Sequence, residues 1–199
     1  MNIQRSEKFP LRRRDVAKAL VRNRGGLMVV AGLGAPAWDF TAAGDNDLNF
    51  PLWGAMGGAA MIGLGLALAQ PGRRVLVVTG DGEMLMGLGA FATIAVQRPT
   101  NLAVVVFDNE HYGETGMQQT HTAHDVDLEG VARAAGIRAA GTVRDQAGLN
   151  KALPAILKKP GPVFYNIKIK AEKLDFVLPP KDGVVLKDRF RRALLGGRA

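Results

Sequence analysis

Residues 75–112 read VLVVTGDGEMLMGLGAFATIAVQRPTNLAVVVFDNEHY, and the fold follows from how this stretch is punctuated. Two apolar runs, 75–78 and 102–107, have the length and valine content of strands buried on both faces. Between them, residues 83–97 predict a crossover helix with Leu85, Leu88, Phe91, Ala92 and Ala95 on its buried side, stopped by Pro99. Each strand runs out into a small polar cluster: Gly80-Asp81-Gly82 after the first, Asp108-Asn109 after the second. Ligands of open α/β sheets bind at the carboxyl ends of the strands. One carboxylate and one amide oxygen delivered there side by side suit a hard divalent cation. The glycines around Asp81 allow a sharp turn and close ligand approach. Free N–H groups opening the following helix point to the same place, an anion site.

Working outward, residues 11–24 place Val16, Ala17, Leu20 and Val21 at helical spacing, ended by Gly25-Gly26. Residues 27–31 predict a buried strand, followed by a turn, Gly32-Leu33-Gly34, and a short helix. That turn fits the loose pattern GxGxxA, but a dinucleotide fingerprint wants an acidic residue ending the next strand. Asp45 and Asp47 fall in a polar turn instead, so the loop is read as a backbone approach to some other phosphate. Residues 50–53 predict a short strand and 58–70 a helix without charge. No ionisable side chain occurs from Leu48 to Gly72, yet Pro51 and the glycines interrupt the run. A helix apolar all round belongs equally in a core, so no membrane span is expected, and its glycines and alanines suit close packing on a sheet.

Residues 108–126 read as a long loop without regular structure, of the kind that is either functional or disordered. Asp127 is placed to cap a helix closed by Gly136, residues 137–140 predict a strand, and Asp145 caps a helix over 146–157. Residues 163–169 predict the last strand. Asp182 caps an amphipathic helix over 184–195 with Val185, Phe190 and Leu194 roughly on one side. The alternation predicts an α/β fold: a doubly wound, mostly parallel sheet with helices on both faces. The expected organisation is a basic N-terminal helix (1–24), a ligand-binding domain (25–170), and a basic tail with a helix of the same domain (171–199).

The 199 residues carry a net charge of +8, unevenly placed: +6 over residues 1–24, +5 over 168–199 and −3 over the body between them. A nucleic-acid groove wants positive charge in the body of the fold, so the basic ends are read as solvated or docking on an acidic partner. Arg12-Arg13-Arg14 is read as a solvated helix face, and Trp38 and Trp53 as core or interface residues. With no cysteine there is no disulfide, thiolate zinc or iron–sulfur chemistry. The polar, charged start of the chain does not read as a secretory signal, and a cytoplasmic setting is the simplest expectation.

GDG, then 26 residues, then Asn, with Gly54-Ala55-Met56-Gly57 upstream, resembles the cofactor motif of thiamine diphosphate-dependent enzymes. GAMGGAAMIGLGLALAQ (54–70) and VVTGDGEMLMGLGAFATI (77–94) most resemble the sulfopyruvate and phosphonopyruvate decarboxylase branch, across roughly residues 25–170. Asp108 stands where the family often has a first Asn, a position that does not bind the metal. The resemblance implies that Asp81 and Asn109 give side-chain oxygens, and His111 its backbone carbonyl, to Mg2+ or Ca2+. It implies that Gly80, Gly82, Glu83, Tyr112 and Gly113 line the cofactor, with Gly82 and Glu83 offering N–H groups to the diphosphate. The Gly54 carbonyl would accept from the aminopyrimidine amine, and Met56 would sit under the bend of the cofactor, a role a flexible thioether suits. Such a cofactor supplies the electron sink for loss of carbon dioxide from a small 2-oxo acid.

The family's activating glutamate sits on a pyrimidine-binding domain, which the resemblance places on a separate subunit of a homo-dimer or hetero-oligomer. Alternatives are a small carboligase of the acetolactate-synthase type and a non-catalytic cofactor-binding or regulatory protein. The 2-oxo acid:ferredoxin oxidoreductases fit less well, since many of their β subunits carry cluster cysteines. His121 and His124 follow in the polar loop and are candidates for proton transfer to the reacting carbon. Against that stands the plain reading of solvated loop histidines, and the run His121-x-x-His124-Asp125 lacks the ligand pattern of a transition-metal site.

Overall fold

The structure, a computed structural model, describes residues 5–196, so residues 1–4 and 197–199 of the expected terminal segments lie outside it. The elements in chain order are α1 (Arg13–Val21), β1 (Met28–Ala31), α2 (Ala35–Ala42), β2 (Asn49–Pro51), α3 (Ala59–Ala69) and β3 (Val75–Gly80). There follow α4 (Asp81–Met86), α5 (Ala90–Gln97), β4 (Leu102–Asp108), β5 (His111–Tyr112), β6 (Gln118–Gln119) and α6 (Leu128–Ala134). The last are β7 (Ala139–Val143), α7 (Gln146–Lys158), β8 (Val163–Lys168) and α8 (Gly183–Leu195). Six strands form one sheet in the order β2-β1-β3-β4-β8-β7, every pair parallel. The doubly wound architecture is the one the alternation predicts.

Alternate residues of each strand feed two cores. Val30, Val77, Val104 and Phe164 face α3, α5 and α6, whereas Val29, Leu76, Val105 and Ile167 face α1, α2 and α7. Strands covered on both faces need no polar residue, which is why β4 is buried from end to end. Each fully buried aliphatic side chain contributes roughly 1.5–3 kcal/mol. Gly63 lets α3 lie against the sheet, since a methyl group there would run into Val77. Among the described residues no helix is long and apolar enough to cross a membrane.

Four readings need correction. The helix expected over residues 83–97 is two helices, α4 and α5, separated by Gly87, Leu88 and Gly89. The break turns Ala92 to solvent and brings Ile94 into the core beside Phe91. The long loop after β4 contains the β5–β6 hairpin and a 3-10 turn, His121–His124. In α8 it is Leu186, not Val185, that is buried beside Phe190. Finally, the triple arginine is no free solvated face: Arg12 pairs with Glu172, while Arg13 and Arg14 both meet the buried carboxylate of Asp39.

Basic side chains near the strand starts also close the fold. Arg74, just before β3, donates to the carbonyls of Ala155, Ile156 and Lys159 at the end of α7. A cation at a helix C-terminus satisfies orphan carbonyls and opposes the helix dipole. Burial brings its guanidinium down to about 10. From β8 an extended segment passes α1 and α2 before α8 packs on β2 through Phe190 and Phe50, with Arg189 forked onto Asp45. Trp53 is 41% exposed and donates to the Pro180 carbonyl of this segment, and half-buried Trp38 meets Phe176 edge-on.

Candidate cofactor and metal site

The site is built at the tips of β3 and β4. Parallel register sets Gly80 against Phe107, so Asp81 and Asp108 occupy the next rung and Asn109 follows. Asp81 opens α4, and the amides of Gly82 and Glu83 fall in its first turn, where N–H groups have no acceptor within the helix. The Asp81 side chain is buried beside two hydroxyls: Thr120 donates to its Oδ2, and Thr122 Oγ1 lies 3.3 Å from the same oxygen. Burial and the nearby Asp108 push its carboxyl up to about 7.

Asp108 is turned away from a ligand's reach. Its Oδ1 accepts from Thr122 (2.8 Å) and the Glu110 amide (3.1 Å), its Oδ2 from Asn166 and Lys168 (2.8 and 2.7 Å). The departure from Asn at this position is therefore balanced by a lysine directly opposite it in the β4–β8 register.

Asn109 Oδ1 accepts from the His111 amide at 3.0 Å, which leaves it a second lone pair. Glu110 gives its carbonyl to the Thr120 amide at 2.9 Å, so the alternation of an antiparallel ladder turns the peptide groups of His111 away from β6. The His111 ring is buried, with Nδ1 near the Asn109 carbonyl (2.8 Å) and the Ser6 hydroxyl (3.3 Å). It is thus a structural ring, and the residue can offer only its backbone outward. Among the described residues, no three His, Cys, Asp or Glu side chains converge as a metal cluster. A cation here would have to rely on one carboxylate, an amide, a carbonyl and the ligand's own oxygens, a hard all-oxygen set that suits Mg2+.

Across from these, Gly54, Ala55 and Met56 form an exposed shelf ending in the left-handed Gly57 (φ 90°). Met56 is 40% exposed, an apolar side chain with no core to fill. The side chain of Glu83 accepts from Thr79 Oγ1 (2.6 Å), the Leu33 amide (3.1 Å) and the amide of Ala59 (3.4 Å), which opens α3 just after this shelf, and the Gly57 backbone bonds to it as well. Burial raises its carboxyl above the ordinary range, and those donors oppose the shift. The loop after β1 is thereby fixed against the shelf. Gly82 leaves room for the ring of Tyr112, while Gly80 and Gly113 have open space beside them. His121 and His124 are exposed on the outer side of the turn whose Thr122 points in to Asp81.

Residues 34–167 match the family described as thiamine pyrophosphate enzyme, C-terminal TPP binding domain. The chain belongs to that family. It is 37% identical to the sulfopyruvate decarboxylase subunit beta of Methanothermobacter thermautotrophicus, over 85% of this chain and 88% of that one. It is 40% identical to the phosphonopyruvate decarboxylase of Streptomyces viridochromogenes, over 77% of this chain but only 38% of that one. Among solved structures, a Mycobacterium smegmatis protein described as thiamin diphosphate-dependent superimposes with a TM-score of 0.69 at 21% identity. It covers 82% of this chain and 32% of its own, and the likeness is one of fold.

The roles of Thr120, Thr122 and the Glu83 side chain have no signature in the sequence. Each depends on a partner brought up by the sheet, 39 and 41 positions away for the threonines.

Proposed function

We propose that this chain is the diphosphate- and cation-binding subunit of a two-subunit thiamine diphosphate-dependent decarboxylase acting on a small anionic 2-oxo acid of the sulfopyruvate or phosphonopyruvate type. The observation that carries this is the strand-tip pair: buried Asp81 between two glycines, beside the tip that ends in Asp108-Asn109. The two-subunit arrangement is supported by the relatives that are named as beta subunits. The match spans nearly all of a beta subunit but little more than a third of the phosphonopyruvate decarboxylase.

In this reading Asp81 and Asn109, with the His111 carbonyl, hold Mg2+, and the first-turn amides of α4 meet the diphosphate. Gly54 and Met56 seat the bend and the pyrimidine. When bound, the cofactor supplies the electron sink for decarboxylation. Of the loop histidines, His121 or His124 would exchange a proton with a substrate that reaches the outer side of the Thr122 turn. The activating glutamate comes from the partner subunit.

Calorimetry of the purified chain with thiamine diphosphate and Mg2+ tests the core of the proposal. Binding that requires Mg2+ and disappears in Asp81→Ala is expected; unchanged affinity in that variant refutes the ligand assignment. The chain alone should release almost no carbon dioxide from sulfopyruvate or phosphonopyruvate, and adding the pyrimidine-binding subunit should restore it. Full turnover by the isolated chain overturns the two-subunit reading. Product analysis with pyruvate and a labelled acceptor separates decarboxylation from carboligation.

A further inference from the structure

Between the two proposed cation ligands of the β4 tip stands Glu110, a residue with no place in the cofactor chemistry. Its backbone is left-handed, φ 63°, a conformation that side-chain-bearing residues seldom adopt. Its carboxylate is 2% exposed, and Oε1 meets two cations, Lys168 Nζ at 2.9 Å and Arg5 at 2.7 Å. Lys168 in turn meets Asp108 at 2.7 Å, and its ammonium lies 5.8 Å from the ring centre of Phe9. The Glu110 amide donates to Asp108 Oδ1 and its carbonyl accepts from Thr120, the residue that holds Asp81. The amide, the carbonyl and Oε1 of Glu110 are thus tied to Asp108, to Thr120, and to Lys168 and Arg5.

We propose that Glu110 is a positioning residue, clamped by Lys168 and Arg5 so that the left-handed turn aims Asn109 Oδ1 and the His111 carbonyl at one cation. The inference rests on Asp81 and Asn109 holding that cation. A turn of this kind relaxes unless its surroundings fix it, and two charge-assisted contacts fix it here, a buried one to Lys168 and a part-buried one to Arg5. The side chain of Asn109 and the backbone of His111 leave the chain on either side of Glu110, so rotation about its φ moves both donors. The basic N-terminal segment thereby acquires a role: Arg5 bridges Glu110 and Asp125 across the back of the site.

The test is Mn2+ affinity of the full chain in the presence of thiamine diphosphate, read from the electron paramagnetic signal of free Mn2+, beside thermal melting. Glu110→Gln is expected to weaken Mn2+ binding about tenfold, within the range for outer partners of metal ligands. Glu110→Gly, which accepts the turn but lacks the clamp, should bind as weakly as Glu110→Gln. Lys168→Arg should bind Mn2+ like the parent while Lys168→Met falls about tenfold. Arg5→Gln, at a half-exposed position that does not threaten folding, should lose about threefold. Parent-like affinity in Glu110→Gly or in Arg5→Gln overturns the clamp. Asp81→Ala is the separate control: if it binds Mn2+ like the parent, the cation lies elsewhere and the proposed function fails with the clamp. If only the Glu110, Lys168 and Arg5 variants are parent-like, the function stands and the clamp alone is wrong.

Discussion

Asp81, just past the end of β3, and Asp108, the last residue of β4, share one hydroxyl: Thr122 Oγ1 lies 3.3 Å from the first carboxylate and 2.8 Å from the second. Burial, and then the nearness of Asp108, disfavour the charged form of Asp81. The asymmetry is set behind them, where Lys168 and Asn166 support Asp108, while Asp81 has only hydroxyls and backbone N–H. The carboxylate left in want of a positive partner is the one the proposed cation uses.

This gives a pH dependence with a definite sign. In the cation-free protein the Asp81 carboxyl is pushed up to about 7 by burial and by Asp108, against 3.8 for an ordinary Asp. Between those values the folded protein keeps a proton that the unfolded chain has released, so this group's contribution to stability falls as pH rises through that window. Asp81→Asn has no such proton, so it should gain melting temperature on the parent between about pH 4 and about pH 7 in the presence of chelator. Cation binding needs the carboxylate and so expels the proton. Affinity for Mg2+ with thiamine diphosphate should therefore rise with pH up to about 7, by no more than about tenfold per unit. An affinity flat from about pH 5.5 to about 7.5 contradicts the assignment.

Thr120→Val should separate orientation from ligation. The valine keeps the shape and removes the hydroxyl that donates to Asp81 Oδ2. Loss of a hydrogen bond to a buried charged group costs about 1.5–3 kcal/mol. Metal affinity is expected to drop about tenfold, as for other groups that orient a ligand. Calorimetry on the folded variant reads this; an unchanged affinity means that Asp81 is positioned by its backbone alone.

The strand tips were legible because the apolar runs 75–78 and 102–107 give way abruptly to small and polar residues, so the sequence itself marks where the sheet ends. Asp81 and Asn109 stand at that boundary. The clamp behind them was not legible, since Lys168, Thr120 and Glu110 become neighbours only through strand pairing and a hairpin too short to leave a pattern. The break between α4 and α5 was hidden for a different reason. Gly87 and Gly89 read as tolerated helix glycines, although a methyl group at Gly87 would strike the Gly57 carbonyl of the shelf. The triple arginine misled because Asp39, its buried partner, lies on another helix.

Glu83 should prove more important as a side chain than as an amide donor. Its carboxylate accepts from a hydroxyl and two backbone amides on three separate segments. Glu83→Gln sets an NH2 group among donors and leaves at least one of them unmatched, at about 1–3 kcal/mol. Gly32→Ala reaches the same contact from the other side, since its methyl group would collide with the Glu83 carboxylate. Both variants should lower the urea midpoint and weaken cofactor binding together. A loss of stability with parent-like binding dissociates the shelf from the ligand.

The C-terminal helix offers a test of what holds it. Phe190 is 8% exposed and its ring meets Phe50 at 5.3 Å, whereas the Arg189–Asp45 pair at 2.6 Å lies partly in solvent. Burial favours the aromatic contact: removing a buried Phe costs about 3–5 kcal/mol, whereas an exposed ion pair contributes about 1 kcal/mol or less. Phe190→Ala should therefore release α8 and raise hydrogen exchange over Gly183–Leu195, while Arg189→Gln leaves exchange there nearly unchanged at moderate salt. Equal exchange in the two variants would mean that the charge pair, with its bidentate geometry, carries as much of the docking as the aromatic ring.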